Sequence, residues 1–183
     1  MKRAMTAWPG ATFVELQPAP GIDGVAVVGY KVTNPSQGVW HYEYVIFNEN
    51  LDRAIQSFSI PIGALVSLSN YGFHAPPQHP GSTADGTVGN SGYSSLPWTR
   101  SFAADFMTWS SESIAQNANA NAIRWGTMYN IRFDSDRGPE PMNAVIGFFK
   151  TGAPVNVAIM GPGSPCRRAT TQSRFQCGIE PRR

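Results

Sequence analysis

Charge is scarce in this chain: 14% of its 183 residues are Asp, Glu, Lys or Arg, against roughly 25% in an ordinary soluble domain. The little there is lies unevenly. Met1 to Arg3 carries +2 and Arg167 to Arg183 carries +4, which leaves Ala4 to Cys166 at −4 within an overall +2. A nucleic-acid binder is expected to show a basic stripe on its folded part. Here the basic residues sit at the ends, so no nucleic-acid partner is expected. Long apolar runs are also missing, and with no stretch of about 18 such residues nothing reads as a transmembrane helix. Recognisable catalytic signatures are absent too. There is no Gly-x-Ser-x-Gly elbow and no Cys/His pairing in the body, and Gly161-Pro-Gly-Ser-Pro165 leads into no helix that would make it a phosphate loop.

Cysteine occurs twice, as Cys166 and Cys177 in a Pro/Gly/Arg-rich tail. Two cysteines with no histidine between them lack the four-ligand spacing of structural zinc. The pair reads as a disulfide closing a short loop, which belongs in an oxidising compartment; the alternative is two free thiols. The expected location is therefore extracellular or at the cell surface. Against it, Met1-Lys2-Arg3 is followed by no apolar segment of the signal-peptide kind, so the chain reads as intracellular or as a piece of something longer. The one Asn-x-Ser, at Asn34, is blocked as a glycosylation site by Pro35.

Aromatic residues are plentiful: ten Phe, six Tyr and five Trp within a composition that is 42% hydrophobic. Such a chain can build a core, and its length suits one domain, expected over residues 4–160 with a basic tail at 161–183. Strand signals dominate. Val25–Thr33 and Val39–Asn48 are β-rich runs joined by Pro35-Ser36-Gln37-Gly38, a hairpin pattern. Alternation in the second run sends Trp40, Tyr42, Tyr44 and Ile46 to one face. Further runs are Ala54–Ile62, Ala64–Phe73, Trp98–Phe102, Phe106–Trp109, Ile123–Asp134, Asn143–Lys150 and Val155–Met160, with turn residues between them. Pro61 marks an edge strand or a strand end. Seven to nine short strands at regular spacing predict an all-β antiparallel sandwich, Ig-like or jelly-roll. His74 to Pro97 is rich in Gly and Pro and is expected to be one long loop, a length that is often functional. Glu112–Ala122 reads as a helical turn or an Asn-rich loop.

Two blocks carry a family resemblance. Val39–Arg53 (VWHYEYVIFNENLDR) with Ser57–Pro61 (SFSIP) and Gly72–His74 (GFH) forms the first. Trp109-Ser110, Ala115–Ala122 (AQNANANA) and Arg124–Asp134 (RWGTMYNIRFD) form the second. Together they resemble a C-terminal β-rich domain of large uncharacterised secreted proteins of planctomycetes and related bacteria, over roughly Arg3 to Met160. The resemblance implies a secreted setting but no activity. In that family the G-F-H element runs into an acidic D-V-D-Y-H-S-G-E loop. Here it reads Ala75-Pro-Pro-Gln-His79-Pro-Gly81, so both histidines remain and the carboxylates do not.

Candidate sites follow from residue chemistry. His41, His74 and His79 are the histidines that a transition-metal centre would use, the alternative being three hydrogen-bonded or surface side chains. Asn48, Asn50 and Asp52 offer oxygens to Ca²⁺, or else brace a strand connection. Glu43 is expected to pair with Arg132 or Arg124. Trp98, Tyr93 and Trp109, with Trp125 and Tyr71, are candidate platforms for sugar stacking, or else fill the core. The reading that emerges is a non-catalytic extracellular module for surface recognition, of glycan or another surface protein, or for assembly. A small histidine-metal enzyme and a homo-oligomeric subunit of a surface layer or filament are the alternatives.

Overall fold

A computed structural model describes residues 4–63 and 65–164; Cys166 and Cys177 therefore lie outside the described residues. The expected all-β sandwich is what forms. Among the described residues ten strands run in chain order: β1 (Thr12–Leu16), β2 (Ala26–Ser36), β3 (Val39–Asn48), β4 (Ile55–Pro61), β5 (Leu68–His74), β6 (Thr99–Ala103), β7 (Phe106–Ser110), β8 (Thr127–Ser135), β9 (Pro139–Phe148) and β10 (Val155–Pro162). They make two five-stranded sheets, ordered β1-β2-β3-β8-β5 and β10-β9-β4-β7-β6, antiparallel at every neighbouring pair. β3 lies beside β8 in one sheet and β4 beside β7 in the other, so the chain crosses between sheets as a folded ribbon. That wrapping is of the jelly-roll kind.

The alternation of apolar side chains explains the layers. On β3, Tyr42, Tyr44 and Ile46 point inward, and on β8, Tyr129, Ile131 and Phe133 do the same. Opposite them stand Phe58 and Ile60 of β4, Met107 and Trp109 of β7 and Ile146 of β9, all buried. Rings interdigitate across the layers: Trp109 stacks on Phe133 at 6.1 Å and Tyr44 tilts against Phe58 at 5.5 Å. Buried tyrosines need partners for their hydroxyls. Tyr42 donates to the Arg137 carbonyl and Tyr44 to the Met160 carbonyl, each at 2.8 Å.

Several details differ from expectation. β1 has no counterpart among the predicted strands: it is a five-residue sheet edge, too short for alternation to mark. β2 does not stop before Asn34-Pro35 but runs on to Ser36 through an irregular register, since proline is tolerated at a bulge. The Asn34 amide donates to the Ser36 and Val39 carbonyls across that bulge. Pro61 ends a strand flanked on both sides. β10 carries the second sheet past Met160 to Pro162. Most consequential, β8 starts at Thr127 rather than Ile123, which puts Trp125 in a turn.

Candidate ligand-binding cleft

Four connections meet at one end of the sandwich: β3 to β4, β5 to β6, β7 to β8 and β9 to β10. The β3–β4 corner is built from its own amides. Asn48 is fully buried; its Oδ1 accepts from the Leu51 amide at 2.7 Å, and its Nδ2 donates to the Leu51 and Ile123 carbonyls at 2.9 and 3.0 Å. Asn50 Oδ1 accepts from the Val25 amide at 2.7 Å. The carboxylate of Asp52 takes both its contacts from Lys150 Nζ, at 2.9 and 3.0 Å. The three side chains considered for Ca²⁺ are thus fasteners of the corner. The same loop economy draws in Asp23, whose oxygens accept from the amides of Gly24 and Asp52 at 2.7 Å and from Arg53 Nε at 2.5 Å. Burial alone would raise the Asp23 carboxyl; the hydrogen bonds and the Arg53 charge outweigh it and hold it below the ordinary value. Sequence reasoning missed Asp23, although Asp-Gly is a turn signal.

The long loop predicted between His74 and Pro97 is present, and the Ala/Asn repeat is what holds it. Asn119 accepts from the Val88 amide at 2.9 Å and donates to the Val88 carbonyl and Ser91 Oγ. Asn121, buried, donates to the Leu96 carbonyl at 2.8 Å and accepts from the Tyr129 hydroxyl. Ala120 and Ala122 alternate with them and are buried against Ala54 and Phe149. Within the loop, Asp85 gathers the amides of Ser82 and Thr87 and the Thr87 hydroxyl. These hydrogen bonds, Thr87's first, hold its carboxyl down at about 2.

This scaffold sets the aromatic side chains. Trp98 is 5% exposed, donates Nε1 to the Asn121 carbonyl at 2.6 Å and stacks on Phe73. Trp109 is 2% exposed in the central core. Both are candidate sugar platforms in the sequence, and neither offers a face to a ligand, because a large ring gains the most by burying its apolar area in the core. Trp125, by contrast, is 62% exposed. It sits in the turn Arg124–Thr127, where the Thr127 amide and hydroxyl donate to the Arg124 carbonyl and Gly126 takes φ +71°. Only glycine adopts that value without strain.

Beside Trp125 stand Tyr93, from the long loop, and Arg124, whose guanidinium carbon lies 3.8 Å from the centre of the Tyr93 ring and 5.0 Å from that of Phe149. Arg124 Nη2 donates to the Ala120 carbonyl at 3.1 Å, while Nε is buried without a partner. Among the described residues no carboxylate approaches the guanidinium within 4 Å. Burial lowers the pKa of Arg124 from its ordinary value, yet a guanidinium stays charged. Tyr93, Arg124, Trp125, Leu51, Ala54, Asp52 and Lys150 line an open cleft of about 310 Å³, at the low end of the size of small-ligand sites. A larger hollow of about 380 Å³ beside Leu96 and Gln116 has neither a ring nor a cation in its lining.

The histidines are dispersed. His41 Nδ1 meets Asp134 Oδ1 at 2.6 Å, and the other oxygen of Asp134 accepts from Asn70. Burial would raise Asp134; His41 and Asn70, with the Arg132 charge, outweigh it and keep it below its ordinary value. His74 stands opposite Asn130. His41 and His74 therefore flank β8 from opposite sides, four residues apart along it, about 13 Å. One ion with bonds of about 2 Å cannot bridge that gap. His79 bonds the Pro80 carbonyl at 2.8 Å. Among the described residues no group of three His, Cys, Asp or Glu side chains is placed to hold a metal. Glu43 lies opposite Arg132 in the sheet, but the expected ion pair with Arg132 or Arg124 is not among the pairs of the described residues; its carboxylate accepts from Asn130 at 3.1 Å instead.

No protein-family model matches the chain, and no curated protein does. Among the described residues no helix is long and apolar enough to cross a membrane. The cleft therefore has to be read from its own chemistry: a projecting indole, a phenol ring under a cation, and one carboxylate already tied to a lysine.

Proposed function

We propose that this β-sandwich is a non-catalytic recognition module that works outside the cell or at its surface and binds carbohydrate in the Tyr93/Trp125 cleft. The observation that carries the reading is Trp125. An indole held out to solvent on a hydrogen-bonded turn loses the burial that normally rewards its area, and stacking on the apolar face of a sugar ring restores it. Tyr93, Asp52 and Lys150 add a second ring and hydrogen-bonding groups at the sides of the same cleft. The resemblance of the two sequence blocks to secreted proteins supports the location. Affinity electrophoresis through gels containing a panel of neutral and acidic polysaccharides tests the reading. The native chain is expected to be retarded by at least one of them, and Trp125→Ala to migrate freely. Retardation by none, or equal retardation of the variant, would overturn it.

A further inference from the structure

Resting on that carbohydrate reading, the charges of the cleft say more about the ligand. Its lining holds two cations, Arg124 and Lys150, and one carboxylate, Asp52. Lys150 and Asp52 are paired with each other, whereas Arg124 has aromatic rings on its faces and carbonyl oxygens on one nitrogen but no counter-charge among the described residues. We infer that the cleft is selective for an acidic glycan, with the saccharide's anionic group, carboxylate or sulfate, set against Arg124 and a sugar ring against Trp125.

The physical case is one of complementarity. A half-buried guanidinium without a carboxylate has given up part of its hydration and received only ring faces and carbonyls in return. An anion entering the cleft supplies the missing charge, and the planar guanidinium suits the two oxygens of a carboxylate. Neutral sugars can use Trp125 but leave that charge unmatched. The body as a whole is acidic, at −4 between Ala4 and Cys166, so the attraction has to be local to the cleft and not a general pull on polyanions.

Isothermal titration calorimetry on the full chain tests this with trimers of galacturonate, glucuronate and mannuronate, their methyl esters, and sulfated neutral trisaccharides, each at low and high NaCl. At least one acidic trimer is expected to bind tenfold or more tighter than its uncharged counterpart at low salt, with the gap narrowing as salt rises. Arg124→Gln is expected to erase the gap while leaving weak binding, and Trp125→Ala to abolish both forms. If Arg124→Gln does not fold, the salt dependence of the native chain decides alone. Binding confined to the sulfated sugars would keep the anion and assign its source. Equal binding of acid and ester at both salts, lost in Trp125→Ala, would overturn the charge selectivity and leave the carbohydrate reading intact. Binding of no acidic sugar, with neutral polysaccharides still retarding the chain, would do the same. Binding of no saccharide of either kind would overturn both.

Discussion

Among the described residues an arginine lies over a tyrosine at two places, and the two differ. At the β5/β6 edge, Arg100 lies 3.5 Å from the centre of the Tyr71 ring, next to exposed Phe102. All five residues of β6 are exposed, although Arg100 pairs with core-facing Trp109 and so points to the inner side. A charge turned inward on an edge strand discourages further strand addition. At the loop end, Arg124 makes the same stack on Tyr93, but its Nε is buried and beside it Trp125 projects. The chemistry of the pair is common to both; what separates them is how much water reaches the cation. A solvated stack sits at a sheet edge, and the half-desolvated one sits where the acidic ligand is proposed to bind.

That contrast can be broken from below. Asn121→Ala removes the buried amide's bonds to the Leu96 carbonyl and the Tyr129 hydroxyl, while the hydroxyl keeps the Ala122 carbonyl. The expected loss is about 2 kcal/mol, at about 1 for each net hydrogen bond lost; urea unfolding reads it, and a midpoint unmoved would show that the repeat does not anchor the loop. Replacing the arginines sharpens the contrast. Arg124→Ala is expected to cost about 1–2 kcal/mol through the lost cation–π contact and packing. Arg100→Ala is expected to stay within about 0.5 kcal/mol, as exposed substitutions do, while raising self-association in sedimentation velocity. Equal costs for the two would erase the distinction.

Acid probes the loop that carries Tyr93. The Asp85 carboxyl is held at about 2 against an ordinary 3.8. Its contribution is therefore complete above about pH 4 and is lost as pH falls towards 2, because the unfolded chain takes up the proton first. Asp23 and Asp134, also lowered, act with the same sign. Amide protection across residues 82–92, taken relative to the intrinsic exchange rate at each pH, is expected to fall below pH 4 in the native chain and to lose that pH dependence in Asp85→Asn. The smallest effect is expected at the cleft's own centre: Trp125→Ala moves stability by less than about 0.5 kcal/mol, and a larger shift would mean the indole is a core residue in disguise.

Much of this fold was legible in advance. Val39–Asn48 formed the strand its alternation drew, bounds included, with Tyr42, Tyr44 and Ile46 inward. In β8, Tyr129, Ile131 and Phe133 alternate in the same way with Asn130, Arg132 and Asp134. The site was less legible. Tyr93 was named as a binding residue and lines the cleft, but Trp98 and Trp109, named with it, are core. The Asn/Ala repeat reads as a helical turn or an Asn-rich loop because nothing local shows that Asn119 and Asn121 have partners 31 and 25 residues upstream.

By itself, then, the sequence determined the class of fold, the face that Tyr42, Tyr44 and Ile46 share on β3 and the position of the long loop. Period-two alternation and turn residues act between near neighbours and can be read without the rest of the chain. Which tryptophans are buried, which arginine without a counter-charge among the described residues is also half-buried, and which carboxylates are already engaged were decided by the tertiary structure. Burial and pairing are properties of what comes to lie alongside a residue. Here that was settled by four distant connections meeting at one end of the sandwich.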